Sequence, residues 1–317
     1  MKIVILDGYV TNKGDLSWDE IAALGDLTVY DRTSPERVVE RAADADAIFV
    51  NKIKIDADTI ARLPKLKFIG EMATGYDNID VAAARERGIV VSNVPAYSTE
   101  SVVQTIFAHL LNITNAISLH DRSVHKGAWQ HCRDFCYRLV PLTEINGLTM
   151  GIYGLGNIGS RVAEVAHAFG MKVIALTSKT SDRLPGYITP VSKDDFFAQS
   201  DVVVLCAPLT ADNRHFINAS TLAKMKPQAI LINTARGGLV DSQALCCALR
   251  EGKIAAAGID VLPQEPPHAD EPLLTAPNCC ITPHIAWQGD VARARLVKVC
   301  EENLRAFIAG SPVNVVG

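Results

Sequence analysis

The chain has 317 residues, 48% hydrophobic, 21% charged and 6% aromatic, a composition that excludes disordered and fibrous classes, and its length favours two domains over one core. A net charge of -4 with no long basic run gives no origin for attraction to nucleic acid or anionic membranes, so neither is an expected partner. The apolar run Ile3-Val4-Ile5-Leu6 ends at Asp7, too short for a signal peptide or membrane helix, which predicts a cytoplasmic protein.

Short apolar strands alternate with amphipathic helical segments along the whole chain, the pattern of parallel sheets with crossover helices. Strands are predicted over 3–6, 27–30, 47–50, 68–69 and 89–91, and Ser34-Pro35-Glu36 reads as a helix start with a cap and an early proline. Val102, Val103, Ile106, Leu110 and Ile113 mark a long helix over 99–114, the expected domain boundary. A second series follows, with strands over 150–153, 173–176, 202–205, 230–232, 256–259 and 280–282 and a last helix over 291–308. Because this series is complete by His284, the last helix is expected to return to the first domain. The fold class is therefore α/β with two doubly wound parallel-sheet domains, a discontinuous first domain (1–98 and 288–317) and a second domain (99–287), with a cleft between them.

The eight cysteines, at 132, 136, 206, 246, 247, 279, 280 and 300, include two adjacent pairs but no paired Cys-x-x-Cys spacing, against a zinc ribbon or disulfide framework. They read as reduced, mostly buried apolar residues. His125, His131, Cys132 and Cys136 are competent zinc ligands, but their spacing matches no structural site and no metal is expected.

Gly154-Leu155-Gly156-Asn157-Ile158-Gly159 follows an apolar strand and opens a helix, the context in which such a turn holds a dinucleotide. The first glycine makes the turn, the second admits the pyrophosphate, the third permits close helix packing, and the helix N-terminus favours the anion. At the end of the next strand Thr177 stands where an acid would bind the adenosine ribose of NAD. Ser178, Lys179 and Arg183 could instead serve a 2'-phosphate, so the expected cofactor is NAD or NADP.

Downstream, Arg236, Glu265 and His284 each follow or close a strand-like run. An arginine fork suits a carboxylate, a histidine can carry a proton and a glutamate can hold that histidine, so hydride transfer to a 2-oxo acid is the chemistry these residue types suit.

The motifs Gly154 to Gly159, Asn233-Thr234-Ala235-Arg236-Gly237-Gly238-Leu239-Val240-Asp241, Gly258-Ile259-Asp260-Val261 leading to Glu265-Pro266, and Thr282-Pro283-His284-Ile285-Ala286 give the chain its resemblance to the D-isomer-specific 2-hydroxyacid dehydrogenases, nearest their glycerate dehydrogenase (hydroxypyruvate reductase) branch. The resemblance covers essentially the whole length and implies a Rossmann NAD(P)-binding domain inserted in a flavodoxin-like substrate domain. It implies that Arg236 binds the substrate carboxylate and polarises the 2-oxo group, that His284 gives or takes the proton, and that Glu265 orients His284. It assigns Asp260 to the nicotinamide and its ribose, and brings Thr234, Ala235, Cys206, Ala207 and Pro208 alongside the cofactor. In the first domain, Ala73-Thr74-Gly75 resembles the family's glycine loop, whose amides bind a carboxylate, with Asn51 and Lys52 on the same rim. Trp287 resembles the glycerate dehydrogenase branch, from which Gln288-Gly289 departs. Glu71 is a second departure, because a carboxylate facing the substrate would repel it unless strand alternation turns it away.

The implied partners are a small anionic 2-oxo or 2-hydroxy acid and a second copy of the chain, with Phe135, Tyr137 and Arg138 expected to contribute to a pocket across the homodimer interface. Two alternatives differ in substrate or class. A D-3-phosphoglycerate dehydrogenase-like enzyme would need basic residues near the first-domain loop, where only Lys52 and Lys54 stand. A non-catalytic nucleotide-sensing scaffold would not need Arg236, Glu265 and His284 together.

Overall fold

The computed structural model describes all 317 residues. They form two compact units, Met1–Ser98 with Trp287–Gly317, and Thr99–Ala286.

The first unit holds β1 (Lys2–Ile5), β2 (Asp26–Val29), β3 (Ala47–Val50), β4 (Phe68–Glu71) and β5 (Val90–Ser92), all parallel, in the order β2-β1-β3-β4-β5. This is the flavodoxin-like winding. Both β3 and β4 are buried along their length, as continuous apolar strands covered on both faces must be. Ile48, Val50 and Ile69 pack with Val38, Ile60 and Ile79 on one face. Phe49 and Phe68 meet Leu296, Cys300 and Leu304 of the helix Asp290–Ile308 on the other. The last helix therefore completes the first unit's core. Trp287 is buried on that same face, edge-on to Tyr97.

The second unit holds β6 (Thr149–Tyr153), β7 (Lys172–Leu176), β8 (Ile188–Pro190), β9 (Val202–Leu205), β10 (Ile230–Asn233), β11 (Ala256–Ile259) and β12 (Cys279–Ile281), in the order β12-β11-β10-β9-β6-β7-β8. Read from the β8 edge this is the Rossmann winding with one additional strand, and it reverses between β6 and β9, where ligands bind in such sheets. Val102, Val103, Ile106, Phe107 and Leu110 of the helix Thr99–Asn115 cover one face. Helices Lys193–Gln199 and Ser242–Arg250 cover the other. No single helix is long and apolar enough to cross a membrane.

Two local features differ from expectation. β8 lacks a sequence signal because it is a three-residue edge strand with one buried residue, Ile188, and a terminal proline, which only an edge tolerates. Ser34 makes no side-chain cap. The turn Pro35–Arg37 is a single 3-10 turn that closes through Arg37 N to Ser34 O at 3.0 Å, and Pro35 has no amide to satisfy.

Glu71, at the end of β4, is fully buried inside the first unit. Its Oε2 accepts from Asn78 Nδ2 at 3.0 Å, the same nitrogen that donates to Ile53 O at 3.0 Å, while Oε1 has no partner. Burial raises its pKa well above the usual carboxylate range; the charges of Asp7 and Asp77 add to the rise, and the Asn78 bond and Lys52 oppose it. Below about pH 4.5 the acid is protonated in both folded and unfolded chains. Above that, the unfolded chain releases the proton while the folded chain keeps it, so this group lowers stability as pH rises toward its folded pKa. Glu71→Gln keeps an acceptor for Asn78 and removes the titration. Its melting temperature is expected to match the parent's near pH 4.5 and to exceed it by a margin that widens toward neutral pH. A constant margin across that range would refute the neutral acid.

Candidate active site

β6 ends at Tyr153 and the chain turns through Gly154, whose φ is 90° and whose added Cβ would meet the Ala207 backbone at 2.9 Å. An added Cβ on Gly159 would lie 2.0 Å from Gly154 O, whereas one on Gly156 would enter open space. Glycine is thus required at the first and third positions by packing, and at the second it leaves a cradle. The helix Asn157–Ala168 begins at Gly156 without a side-chain cap, so the first-turn amides of Asn157, Ile158 and Gly159 are suited to an anion.

Beside this turn lies a cavity of about 550 Å³ lined by Gly156, Asn157, Lys179 and Arg183 together with Arg161 and Glu164. Arg161 pairs with Glu164 at 2.7 Å and with Glu100 at 3.2 Å, and Lys179 and Arg183 supply further positive charge. Thr177 Oγ1 accepts from Lys179 N at 3.2 Å and closes the turn that presents Ser178 and Lys179 to solvent. At the end of β9, Cys206 N donates to Tyr153 O at 2.8 Å, and burial pushes the Cys206 thiol up to about 12, so it is neutral. Ala207 packs under Gly154, and Pro208 O accepts from Asn213 Nδ2 at 2.8 Å.

Past β10, the fully buried Asn233 accepts from Ala235 N at 3.0 Å and donates to Arg236 O at 2.9 Å. This clamp shapes the loop that carries Arg236, and the sequence reading missed it; the signal was an amide closing an apolar strand. Arg236 is half-buried and its Nη1 donates to Ala235 O at 2.9 Å. Thr234 Oγ1 is buried without a protein partner, a polar atom suited to a bound ligand group. Gly237 presses the loop against the next one, since an added Cβ would overlap the Leu262 carbonyl carbon at 2.0 Å.

Leu262 N in turn donates to Glu265 Oε1 at 2.9 Å, and Glu265 Oε2 takes His284 Nδ1 at 2.6 Å. An ionised carboxylate only accepts, so Nδ1 carries the proton and Nε2 is left for a reacting group. The two side chains are 23% and 34% exposed for His284 and Glu265, within reach of solvent. His284 adopts a left-handed φ of 53°, which the following residues hold in place. Ile285 N donates to Asp260 Oδ1 at 3.0 Å, Ala286 N to Asp260 Oδ2 at 2.9 Å, and His284 N to Asp260 O at 2.8 Å. Thr282, which the sequence reading quoted in a motif without a role, donates its hydroxyl to Asp260 Oδ1 at 2.6 Å.

Asn51, Lys52, Ala73, Thr74 and Gly75 lie in the first unit. Asp7 accepts from Asn51 N at 2.9 Å and Lys52 N at 2.7 Å. Asn51 Nδ2 donates to Met72 O at 2.7 Å, leaving its buried Oδ1 without a partner. Ala73 and Thr74 are held by Val94 N, Asn93 Nδ2 and Val94 O. In the second unit, His131 Nδ1 lies 2.9 Å from Gly127 O and His125 Nε2 lies 3.4 Å from Asp121.

Residues 107–286 match the family model for the D-isomer-specific 2-hydroxyacid dehydrogenase NAD-binding domain. The chain is similar over its whole length, at 44% identity and covering 99% of the relative, to a hydroxypyruvate reductase of Blautia hydrogenotrophica. Over 90% of each chain it is 42% identical to a glycerate dehydrogenase of Methylorubrum extorquens. Among solved structures it is similar to an NADPH-dependent glyoxylate/hydroxypyruvate reductase of Sinorhizobium meliloti in complex with NADP and malonate, with a TM-score of 0.85 and 30% identity over 100% of this chain and 97% of that one. The glycine turn, the Arg236 loop and the Glu265–His284 pair stand in the segment that the family model matches, and the chain belongs to the D-isomer-specific 2-hydroxyacid dehydrogenases, enzymes that use NAD or NADP.

Proposed function

We propose that this enzyme reduces a small 2-oxo acid, hydroxypyruvate or glyoxylate, and in reverse oxidises D-glycerate. The observation that carries the reading is the 2.6 Å bond from His284 Nδ1 to Glu265, which leaves Nε2 to handle a substrate proton. The names of the Blautia and Methylorubrum relatives support the substrate. Arg236 binds the carboxylate and draws electron density from the 2-oxo group. His284 protonates the oxygen during reduction and takes the hydroxyl proton during oxidation, while Glu265 holds the ring. Bound NAD(P)H supplies the hydride. The amides at Asn157 to Gly159 hold its pyrophosphate, and Thr234, Ala235 and Asp260, with Cys206, Ala207 and Pro208, border its nicotinamide half. In the first unit, the Ala73 to Gly75 loop, Asn51 and Lys52 serve the substrate carboxylate, and Trp287 supports specificity through Tyr97. The phosphoglycerate alternative is disfavoured because it asks for more basic side chains near the first-domain loop than Lys52 and Lys54.

The finer cofactor choice is NADP(H). Thr177 removes the acid that would repel a 2'-phosphate, and Lys179 and Arg183 line the adjoining cavity. The working form is a homodimer. Ile117, Val124, Trp129, Phe135, Leu139 and Leu142 expose apolar area within 26 consecutive positions, Phe135 to 90%, more than an isolated surface usually leaves uncovered. The free cysteines, two of them exposed, suit the reducing cytosol.

Arg236→Ala is expected to lower kcat/KM for hydroxypyruvate by about a thousandfold with NADPH affinity retained, and His284→Ala to lower kcat by about a hundredfold or more and flatten its pH profile. Parental kinetics in either variant would remove that residue from the mechanism. Lys179→Ala with Arg183→Ala should cost about tenfold in kcat/KM for NADPH and leave NADH unchanged; a parent enzyme that prefers NADH would refute the NADP choice. Sedimentation is expected to show a dimer that Trp129→Asp with Phe135→Asp dissociates, and a monomeric parent would sink the assembly.

A further inference from the structure

Behind the site, on the helix Thr99–Asn115, His109 is buried at 4% exposure on the stripe that otherwise carries Val102, Ile106 and Leu110. A histidine there displaces apolar packing, and the sheet makes room for it. Gly258 of β11 faces the imidazole, and a Cβ at that position would come within 2.8 Å of His109 Cβ and 2.9 Å of its ring.

His109 Nε2 lies 3.0 Å from Thr282 Oγ1, which lies 2.6 Å from Asp260 Oδ1. The directions of these bonds follow from proton count. Asp260 only accepts, so the single hydroxyl proton of Thr282 goes to it, and the threonine oxygen must accept from His109. That fixes the ring as the Nε2–H tautomer. Burial pushes the His109 pKa down against the opposing charge of Asp260, in keeping with a neutral ring. Bonds linked in one direction also polarise one another. At the far end, the two Asp260 oxygens take the amides of Ile285 and Ala286, and Ser101 Oγ donates to Ala286 O at 2.6 Å.

We propose that His109 is a positioning residue for the strap 282–286: by donating to Thr282 it commits the threonine proton to Asp260, and the carboxylate then holds the amides that keep His284 in its left-handed conformation. The consequence for turnover rests on His284 being the proton carrier; the effect on the strap does not.

Four variants separate donation from space-filling. His109→Leu and Thr282→Val keep volume and lose the relay, while His109→Gln and Thr282→Ser keep a donor. Hydrogen exchange at the amides of Ile285 and Ala286 in the full-length enzyme without cofactor is expected to quicken about tenfold in the Leu and Val variants, and to stay near the parent's in the Gln and Ser variants. In steady state, kcat should fall in the first pair and recover in the second, with KM for hydroxypyruvate little changed. Imidazole nitrogen spectra of the parent are expected to show His109 as the Nε2–H form. Parental exchange rates in both His109→Leu and Thr282→Val, or a Gln variant no better than Leu at equal thermal stability, would overturn the proposal. If His109→Leu fails to fold, the Thr282 pair decides alone. Faster exchange with unchanged turnover would uphold the relay and overturn the role of His284.

Discussion

The buried carboxylate of Asp260 is the constraint on which the Glu265–His284 end of the second unit depends. It sits one residue past β11 and accepts from one hydroxyl and two amides of the strap that follows β12, while its own carbonyl takes the His284 amide. A left-handed conformation costs a non-glycine residue about 1–2 kcal/mol. Charge-assisted hydrogen bonds of about 1.5–3 kcal/mol each are enough to outweigh it. The strain on His284 is therefore held locally, by a neighbouring strand in parallel register, Ile259 opposite Ile281. The same geometry leaves the His284 side chain directed to Glu265 at 2.6 Å. One buried carboxylate thus sets both the backbone of His284 and, through it, the pairing that selects its tautomer.

The features of this chain suited to an anion depend on placement more than on total charge. The protein is acidic overall, at -4, yet the turn at Gly154 to Gly159 presents backbone amides, and Arg161, Lys179 and Arg183 line the cavity beside it. Backbone dipoles and short-range pairs act within a few ångströms, where solvent screening is weakest, so they do not require a basic surface. The glycines serve this end in different ways: Gly159 and Gly237 permit close backbone approach, and Gly156 leaves space.

Much of the architecture was legible before any coordinates. Apolar runs bounded by turn residues located the long strands, because buried parallel strands read as uninterrupted Val, Ile and Leu. β8 escaped that logic for the reason an edge strand always can, since it buries one residue and ends in proline. Glu71 was visible as an anomaly but not as a buried neutral acid, because strand periodicity gives a face and says nothing of the depth that shifts a pKa. The hydrogen-bonding roles of Asn233, Thr282 and His109 went unread for a related reason. Each acts through a partner distant in sequence or in a turn, and a lone polar residue on an apolar face looks the same whether it is satisfied or idle.

The amino-acid sequence by itself determined the α/β class, the glycine turn and the identities of Arg236, Glu265 and His284, because periodicity, glycine spacing and side-chain chemistry are local properties. Tertiary structure alone decided that Asp260 anchors the His284 strap, that Thr282 and His109 stand behind it, and that Gly258 is small to admit His109. Those facts depend on which strands lie side by side and in what register, and hydrogen bonds between residues 22 to 173 positions apart exist only once the sheet has formed.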